Sequence, residues 1–301
     1  MAARLISLSS AFCSQQNDVP TIIGGGGNVL VRADVTAINW DNGRQRVTGV
    51  TVRHGAKNVR IDVPIVISAA GIVSTFSKLL PREIAMKSRF YKYCSGQPGT
   101  TAQLLFVGLR GTSAELGVDI VNHHFMCSAD VVDSLNAYMK LKPEDVLDSA
   151  VPMYTIMFPS ARDATYARRY PGKTTCILAA PGNHEWYTEW ADTSHSKRAI
   201  EYKDFKAQMQ EVLLQLLLRH YPQFADKIEF TDMATPLTVQ YYVRTEGGSI
   251  AGLSHDTPRF QEDVVCEQRS QTDVPGLYMS ARACRRYTRR FCCYFNETPN
   301  M

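Results

Sequence analysis

The segment Val66-Ile67-Ser68-Ala69-Ala70-Gly71 is the strongest indication of the fold, because an apolar strand is followed there by a run of small residues. Ile65 precedes it, so the apolar residues run on without alternating with polar ones. Such a continuous run is typical of a strand that is covered on both faces. A helix is predicted over 72–80, and Pro81 ends it. A covered strand, a tight exit and a helix together predict an α/β fold.

Alternating segments upstream predict a solvent-facing hairpin. The first is a strand with apolar residues at every second position, namely Val29, Val31, Ala33 and Val35. Asp41-Asn42-Gly43 is a tight-turn signal, and the segments 47–52 and 59–63 alternate again. The change from alternation to a continuous apolar run therefore marks the passage from an exposed hairpin into a covered sheet.

The glycine run 24–27 invites comparison with the dinucleotide fingerprint G-x-G-x-x-G. Gly24 and Gly26 fit that spacing, but Val29 occupies the third glycine position. The fingerprint also needs a strand before it and a helix after it, so that the helix N-terminus can approach a pyrophosphate. Here a strand is predicted to follow. The run is therefore predicted to be a tight turn rather than a phosphate loop.

The middle of the chain predicts a mixed sheet with helices. Strands are predicted over 102–109, 153–158 and 174–180, and a short buried strand over 275–280. A helix over 128–140 would begin with Ser128 as its cap. The strongest helix signal covers 201–221, where apolar residues recur at three- and four-residue steps before Pro222.

Composition and charge exclude several classes of protein. Of the 301 residues, 45% are hydrophobic and 21% charged, as in an ordinary globular domain. No apolar run approaches the roughly 18 residues of a membrane-spanning helix, and the first residues resemble a disordered leader more than a secretory signal. The segment 281–301 holds five arginines and one acid, so its net charge equals the net charge of the whole chain, +4. The rest of the chain is therefore neutral, and no nucleic-acid partner is predicted.

The cysteines and histidines predict no metal site. The eight cysteines are scattered and form no C-x-x-C pair, which is typical of reduced thiols. His184-Glu185 begins an H-E-x-x-H pattern, but Thr188 stands at the second histidine position. His123 and His124 are adjacent in a strand and so point to opposite faces. The glycine-rich segment 247–252 is interpreted as a place where the backbone approaches a neighbouring strand or a ligand.

Several motifs together resemble one family. The segments 26–35 and 66–71 resemble the middle flavin-domain segment of phytoene-desaturase-like flavoproteins. Further matches resemble the retinol saturases of the carotenoid-isomerase branch, namely Phe158-Pro159-Ser160-Ala161-Arg162-Asp163, Tyr170-Pro171-Gly172-Lys173, Glu185-Trp186-Tyr187-Thr188-Glu189-Trp190, Thr235-Pro236-Leu237-Thr238 and the segment 247–252. The resemblance extends over about 24–280.

The resemblance implies an FAD-dependent oxidoreductase that saturates one double bond of a retinoid or carotenoid. It implies NAD or NADP as a possible electron donor, and a location at the endoplasmic reticulum membrane by peripheral association. Because the first residues do not form a convincing signal peptide, a cytoplasmic location is the alternative. The fold implied is an incomplete Rossmann-like FAD-binding portion that carries a mixed-sheet α+β substrate domain.

The family's cofactor contacts fall on four residues of this chain. The backbone of the valine that matches Val35 lies against the adenine, and small residues matching Ala69, Ala70 and Gly71 let the chain pass close to the dinucleotide. No catalytic acid is assigned. Tyr241, Tyr242 and His255 are candidates only because a proton must be supplied.

Two departures from the family weaken the enzymatic interpretation. No G-x-G-x-x-G precedes Gly24, and arginines replace the glycines that the family has after the strand 275–280. This pattern indicates a chain without the first segment and with a frameshifted or alternatively spliced end. The alternative function is a non-catalytic fragment that acts at most as a binding module. The predicted division is a leader 1–23, an FAD-domain segment 24–82, a substrate domain 83–270, a return strand 271–280 and a divergent tail 281–301.

Overall fold

The computed structural model describes residues 19–96, 99–193, 198–250, 252–254 and 257–280. The predicted tail 281–301, the leader up to residue 18 and the candidate His255 lie outside the described residues. Residues 19–24 are helical, so the part of the predicted leader over 19–23 differs from the expectation of a disordered segment.

Within the described residues, ten strands form three sheets. A hairpin sheet has the order β1-β2-β3, a two-stranded parallel sheet pairs β10 with β4, and a five-stranded sheet has the order β6-β7-β8-β5-β9. The strands are β1 (Asp34–Asp41), β2 (Arg46–His54), β3 (Lys57–Asp62), β4 (Val66–Ser68), β5 (Ala102–Arg110), β6 (His123–Met126), β7 (Met153–Met157), β8 (Lys173–Pro181), β9 (Ile228–Ala234) and β10 (Leu277–Met279).

Five helices of the described residues are given labels. They are α1 (Ser74–Leu79), α2 (Val131–Met139), α3 (Ile200–His220), α4 (Pro236–Val243) and α5 (Glu262–Glu267). Shorter or tighter helical segments are Arg82–Ala85, Tyr91–Ser95, Ser113–Leu116, Pro143–Val146, Pro159–Arg162, Tyr166–Arg169, His184–Trp190, Pro222–Phe224, Glu246–Gly248 and Thr257–Phe260.

The chain divides into two compact units. Unit 1 takes its described residues from Met1–Gln97 and Gly252–Met301, and unit 2 from Pro98–Ala251. The sequence-predicted boundaries at 82/83 and 270/271 fall inside unit 1. The assignment of these segments to an FAD portion and a substrate domain remains a prediction.

Unit 1 contains the hairpin sheet and the small parallel sheet around one core. Side chains of β2, α1 and β10 fill this core, including Val47, Phe76 and Leu277. The rings of Phe76 and Phe90 stack at 5.0 Å. On β2 the core residues are Val47, Val50 and Val52, and on β3 only Ile61 packs against the core, so the hairpin covers one face as the sequence predicts.

Unit 2 is built on the five-stranded sheet, and α3 packs on one of its faces. Tyr202, Phe205, Met209, Leu213 and Leu217 of α3 are buried in its core. The predicted helix over 201–221 is thus confirmed within one residue at each end. Every strand pair in this sheet is antiparallel, whereas the resemblance implies a mixed sheet. The α/β class is confirmed by the combination of helices with parallel and antiparallel sheets.

The first predicted strand begins five residues later than expected. The alternation from Val29 predicts a strand there, but β1 starts at Asp34 and Val31 is 75% exposed. The glycine run follows the helical residues 19–24 and leads through a turn into irregular chain. An alternating hydrophobic pattern forms a strand only where a partner strand is present. Because β2 pairs with β1 only from Asp34 onward, the strand begins there.

Three further expectations need correction or refinement. Ser128 does not cap α2, because the helix begins after Asp130 and the Ser128 hydroxyl accepts a bond from the Asp130 amide in a local turn.

The run around β4 is not covered on both faces, because Ile65 and Ile67 are 49% and 43% exposed. In the glycine-rich segment, a Cβ on Gly248 would lie 2.1 Å from the Pro236 carbonyl, so the close approach there is to backbone.

Candidate functional site

The first candidate site lies where β4 and β10 end side by side. The register pairs Leu277 with Val66 and Met279 with Ser68, and the Ser280 amide donates to the Ser68 carbonyl at 2.8 Å. The two parallel strands therefore present their carboxyl ends together. In open α/β sheets, ligands bind beyond the carboxyl ends of parallel strands.

The exit turn 69–71 is fixed by a buried pair of hydroxyl groups. The Ser68 and Thr75 hydroxyls lie 2.7 Å apart, and the Thr75 amide donates to the Gly71 carbonyl at 3.0 Å. Gly71 has a φ of +86°, which favours glycine, and open space surrounds the position of its missing Cβ. Ala69 is exposed. Small residues in a rigid turn can lie flat against a ligand without a side chain in the way.

The structure places Val35 in the same unit as this turn. Val35 pairs with Val52 across the hairpin and packs against the core cluster that holds Ile72 and Phe76, the residues that follow Gly71. The four predicted cofactor contacts therefore share one compact unit. Ser68 and Thr75, which hold the turn, were not predicted as site residues, although Ser68 lies within the segment 66–71.

The described residues of unit 1 fit one part of a dinucleotide and not all of it. A turn of small residues at the ends of parallel strands suits a flat ring or a sugar. The glycine run 24–27 does not suit a pyrophosphate, because it follows a helical turn and leads into irregular chain. A phosphate loop needs a strand before the glycines and a helix after them.

The second candidate site is the face of the five-stranded sheet that points away from α3. Odd-numbered residues of β5 and even-numbered residues of β8 are buried in the core of unit 2. Their neighbours on the opposite face stay half-buried and lie outside both core clusters. These open-face residues are Leu104, Phe106, Met153, Thr155, Met157, Ile177 and Ala179.

The register aligns the open face across all five strands. Thr155 lies opposite Ala179, Phe106 opposite Ile177, and Gly108 opposite Phe230, which is 60% exposed. Strands lie about 4.8 Å apart, so five of them span about 19 Å. The result is a half-buried, largely apolar sheet face, and contiguous apolar surface outside a core is a candidate for ligand binding.

Polar groups border the open face at its two edges. On β6, the His124 Nδ1 and the Thr155 hydroxyl lie 2.9 Å apart. On β9, Asp232 accepts from the Lys206 ammonium at 3.0 Å. The open face can therefore accept an apolar molecule whose polar end lies at an edge.

The groups with strongly shifted pKa values are core residues. Burial raises the pKa of Tyr138 to about 12 and that of Cys176 to about 12, so both stay protonated at neutral pH. Tyr241 and Tyr242, two candidate proton donors, lie on α4 and are 44% and 62% exposed. None of the four described cysteines forms a disulfide, and no metal-binding cluster occurs among the described residues.

Comparison with known proteins identifies relatives over most of the chain. An all-trans-retinol 13,14-reductase from Danio rerio is 34% identical over 265 residues, which are 88% of this chain and 43% of that protein. The chain is a relative of the all-trans-retinol 13,14-reductases. A second Danio rerio relative, named an inactive all-trans-retinol 13,14-reductase, is 29% identical over 85% of the chain and 42% of its own length.

More distant comparisons add context to the retinol reductase relationship. A phytoene desaturase from Phycomyces blakesleeanus is 25% identical over 84% of the chain and 39% of its own length. The chain spans less than half the length of each of these relatives. No family model matches the chain.

Solved structures similar to this one include two oxidases of low sequence identity. A redesigned putrescine oxidase is 13% identical over 88% of this chain and 46% of its own, with a TM-score of 0.48. Cyclohexylamine oxidase from Brevibacterium oxydans is 12% identical over 90% of this chain and 47% of its own, with a TM-score of 0.46. These scores are too low to support an assignment.

Proposed function

We propose that the chain is the polyene-binding portion of an FAD-dependent oxidoreductase that saturates one double bond of a retinoid. The observation that carries this function is the open apolar face of unit 2 in a relative of the retinol reductases. When bound, FAD supplies the hydride for such a reduction. The residues of this chain bind the polyene and exclude water from it.

The chemistry of the open face matches that of a conjugated chain. A polyene is flat, rigid and without hydrogen-bonding groups along its length. It therefore binds best to a surface that has no polar groups in need of a hydrogen-bond partner. Phe106, Met157 and Ile177 offer apolar contact across neighbouring strands. The His124–Thr155 pair at the β6 edge is placed to bond the hydroxyl group of a retinoid. A carotenoid, which lacks that group in its simplest forms, is the second substrate class.

The cofactor contacts follow from the parallel strand ends in unit 1. Val35, Ala69, Ala70 and Gly71 are proposed to touch FAD through backbone and small side chains. The buried hydroxyl pair of Ser68 and Thr75 supports them by fixing the turn. NAD or NADP is proposed as the electron donor on the family resemblance alone.

A membrane surface is the proposed partner, in keeping with a location at the endoplasmic reticulum. Ile120 and Val121 are 61% and 54% exposed, and the Arg162 guanidinium donates to the Ile120 carbonyl at 2.9 Å. Adjacent exposed aliphatic residues beside an arginine are typical of insertion into a lipid headgroup region. No helix of the described residues is long and apolar enough to span a bilayer. A nucleic-acid partner is not proposed.

Titration with all-trans-retinol tests the function. The full chain should quench or enhance retinol fluorescence saturably, and Ile177→Gln should weaken binding by about tenfold or more, because it places an unpaired amide against the polyene. Ile200→Gln is the matched control, since Ile200 is exposed on α3. Equal affinities in all three proteins, or no binding by the unaltered chain, would overturn the assignment.

Two observations support the non-catalytic alternative. A relative named as inactive matches nearly the same portion of the chain, and the glycine run does not form a phosphate loop. In that case, the chain binds a polyene without reducing it. The absorbance of the purified chain distinguishes the two functions, because a flavin band near stoichiometric amount supports the enzyme and a colourless protein supports the binding module.

A further inference from the structure

Arg198 is a buried cation at the start of α3. The residue is only 8% exposed, and it directly precedes Ala199, which occupies the N-cap position of the helix without a side-chain hydrogen bond. Its Nη1 donates to the Tyr202 hydroxyl at 3.1 Å, and its guanidinium lies 4.8 Å from the centre of the Tyr202 ring. Its Nε is buried and has no hydrogen-bond partner. The buried Nε–H donor of the guanidinium thus remains unused.

Among the residues that the structure describes, no carboxylate pairs with this charge. None of the ion pairs within the described ranges includes Arg198. Glu201, in the first turn of α3, is exposed to solvent. A buried guanidinium without a carboxylate is costly, because burial removes its hydration and the neutral Tyr202 side chain does not balance its charge.

Two helix N-termini add positive potential at the same place. The Tyr202 hydroxyl lies 2.9 Å from the hydroxyl of Thr235, which caps α4 by accepting from the Thr238 amide. Arg198 itself stands at the start of the 21-residue helix α3. Since helix N-termini favour anions, the surroundings increase the imbalance that Arg198 creates.

We propose that Arg198, Tyr202 and Thr235 bind a small oxyanion, the carboxylate or phosphate group of a ligand. The guanidinium supplies charge and the free Nε donor, and whichever of the two hydroxyl groups accepts in the Tyr202–Thr235 bond can donate to the anion. Arg198, Tyr202 and Thr235 belong neither to the exit turn 69–71 nor to the open face, so this is a third site.

The test compares thermal unfolding and calorimetric titration of the full chain with two variants. Inorganic phosphate and pyrophosphate form one arm, and acetate and all-trans-retinoate form the other. One of these anions should raise the unfolding midpoint of the unaltered chain and of Lys203→Met, an exposed control on α3. Arg198→Met should bind that anion about tenfold or more weakly. The arm with tighter binding identifies the source of the oxyanion.

The anion-free measurement separates this role from a structural one. Without anion, Arg198→Met should unfold at the same or a higher temperature, because it removes an unbalanced buried charge. A lower midpoint in every buffer, with no response of the unaltered chain to any anion, would mean that Arg198 only stacks on Tyr202. An equal anion response in Arg198→Met and Lys203→Met would also overturn the site. If Arg198→Met does not fold, Arg198→Lys should fold and bind the anion more weakly than the unaltered chain.

Discussion

The hydroxyl of Ser88 donates a hydrogen bond of 2.6 Å to Asp273, 185 positions away in the sequence. The other carboxylate oxygen of Asp273 accepts from the Arg89 amide at 2.8 Å. The Arg89 guanidinium donates in turn to the carbonyls of Glu267 and Gln271. These bonds tie the segment around residue 88 to the segment that returns after unit 2, and they explain why both belong to unit 1.

Removing this carboxylate should destabilise unit 1. Asp273→Ala leaves the buried Ser88 hydroxyl without its acceptor, so the free energy of unfolding should fall by about 1–3 kcal/mol. Denaturant unfolding measures the change. Asp62→Ala is the control, because Asp62 makes an exposed pair with Arg60 and should change the free energy by less than about 0.5 kcal/mol. Equal effects of the two variants would show that the long-range bond contributes nothing.

Shortening a core side chain of α3 should destabilise unit 2. Leu213 is fully buried beneath the sheet, and Leu213→Ala leaves a cavity, so the free energy of unfolding should fall by about 2–5 kcal/mol. Gln208→Ala, on the exposed side of the same helix, should change it little. A loss below about 0.5 kcal/mol for Leu213→Ala would place that helix face in solvent or lipid instead.

The stability of unit 2 should fall at mildly acidic pH because of His220. Burial, and then the charge of Arg219, lowers the pKa of His220 below its ordinary 6.5. The neutral ring lies 2.7 Å from the Tyr154 hydroxyl and stacks on Phe125 at 3.9 Å. The folded state therefore binds fewer protons than the unfolded state, and stability present above pH 6.5 is lost as the pH falls through the folded pKa.

A variant isolates the contribution of this histidine. His220→Gln keeps an acceptor for Tyr154 but does not titrate, so its unfolding free energy should change less than that of the unaltered chain between pH 7.5 and 5. Urea unfolding at several pH values measures both curves. Parallel curves would contradict a role for His220, since the carboxylates are common to both proteins.

The polar edge of the open face should distinguish retinol from a polyene hydrocarbon. Thr155→Val removes the hydroxyl that lies 2.9 Å from the His124 Nδ1 while keeping the shape of the side chain. Retinol affinity should fall by about five- to tenfold, and the affinity for a hydrocarbon polyene should stay the same or rise. Equal losses for both molecules would indicate a packing defect rather than lost recognition.

The sequence predicted the helices and strands whose own residues show a clear hydrophobic periodicity. The helix of 201–221 and strands such as 102–109 and 174–180 appear within about two residues, because each buries one face against a core that the pattern itself describes. The turn at Asp41 was also predicted, since its carboxylate accepts from the amides of Gly43 and Arg44.

Other features depend on distant partners and could not be predicted in this way. The strand start at Asp34 is set by pairing with β2. The exposure of Ile67 depends on which elements pack over β4, and the sequence of β4 alone does not specify them. The open face was missed because its apolar residues resemble core residues in the sequence. Arg198 gave no signal, since a lone arginine before a helix is ordinarily exposed. Burial and charge balance become visible only in three dimensions.

Photoaffinity labelling tests the central claim that a polyene lies on the open face of unit 2. A diazirine analogue of all-trans-retinol, irradiated with the full chain and mapped by mass spectrometry, should label β5, β7 and β8 at Phe106, Met157 and Ile177. Excess all-trans-retinol should suppress that labelling. Labels confined to other segments, such as the buried helix α3 or the hairpin strands of unit 1, would contradict the claim.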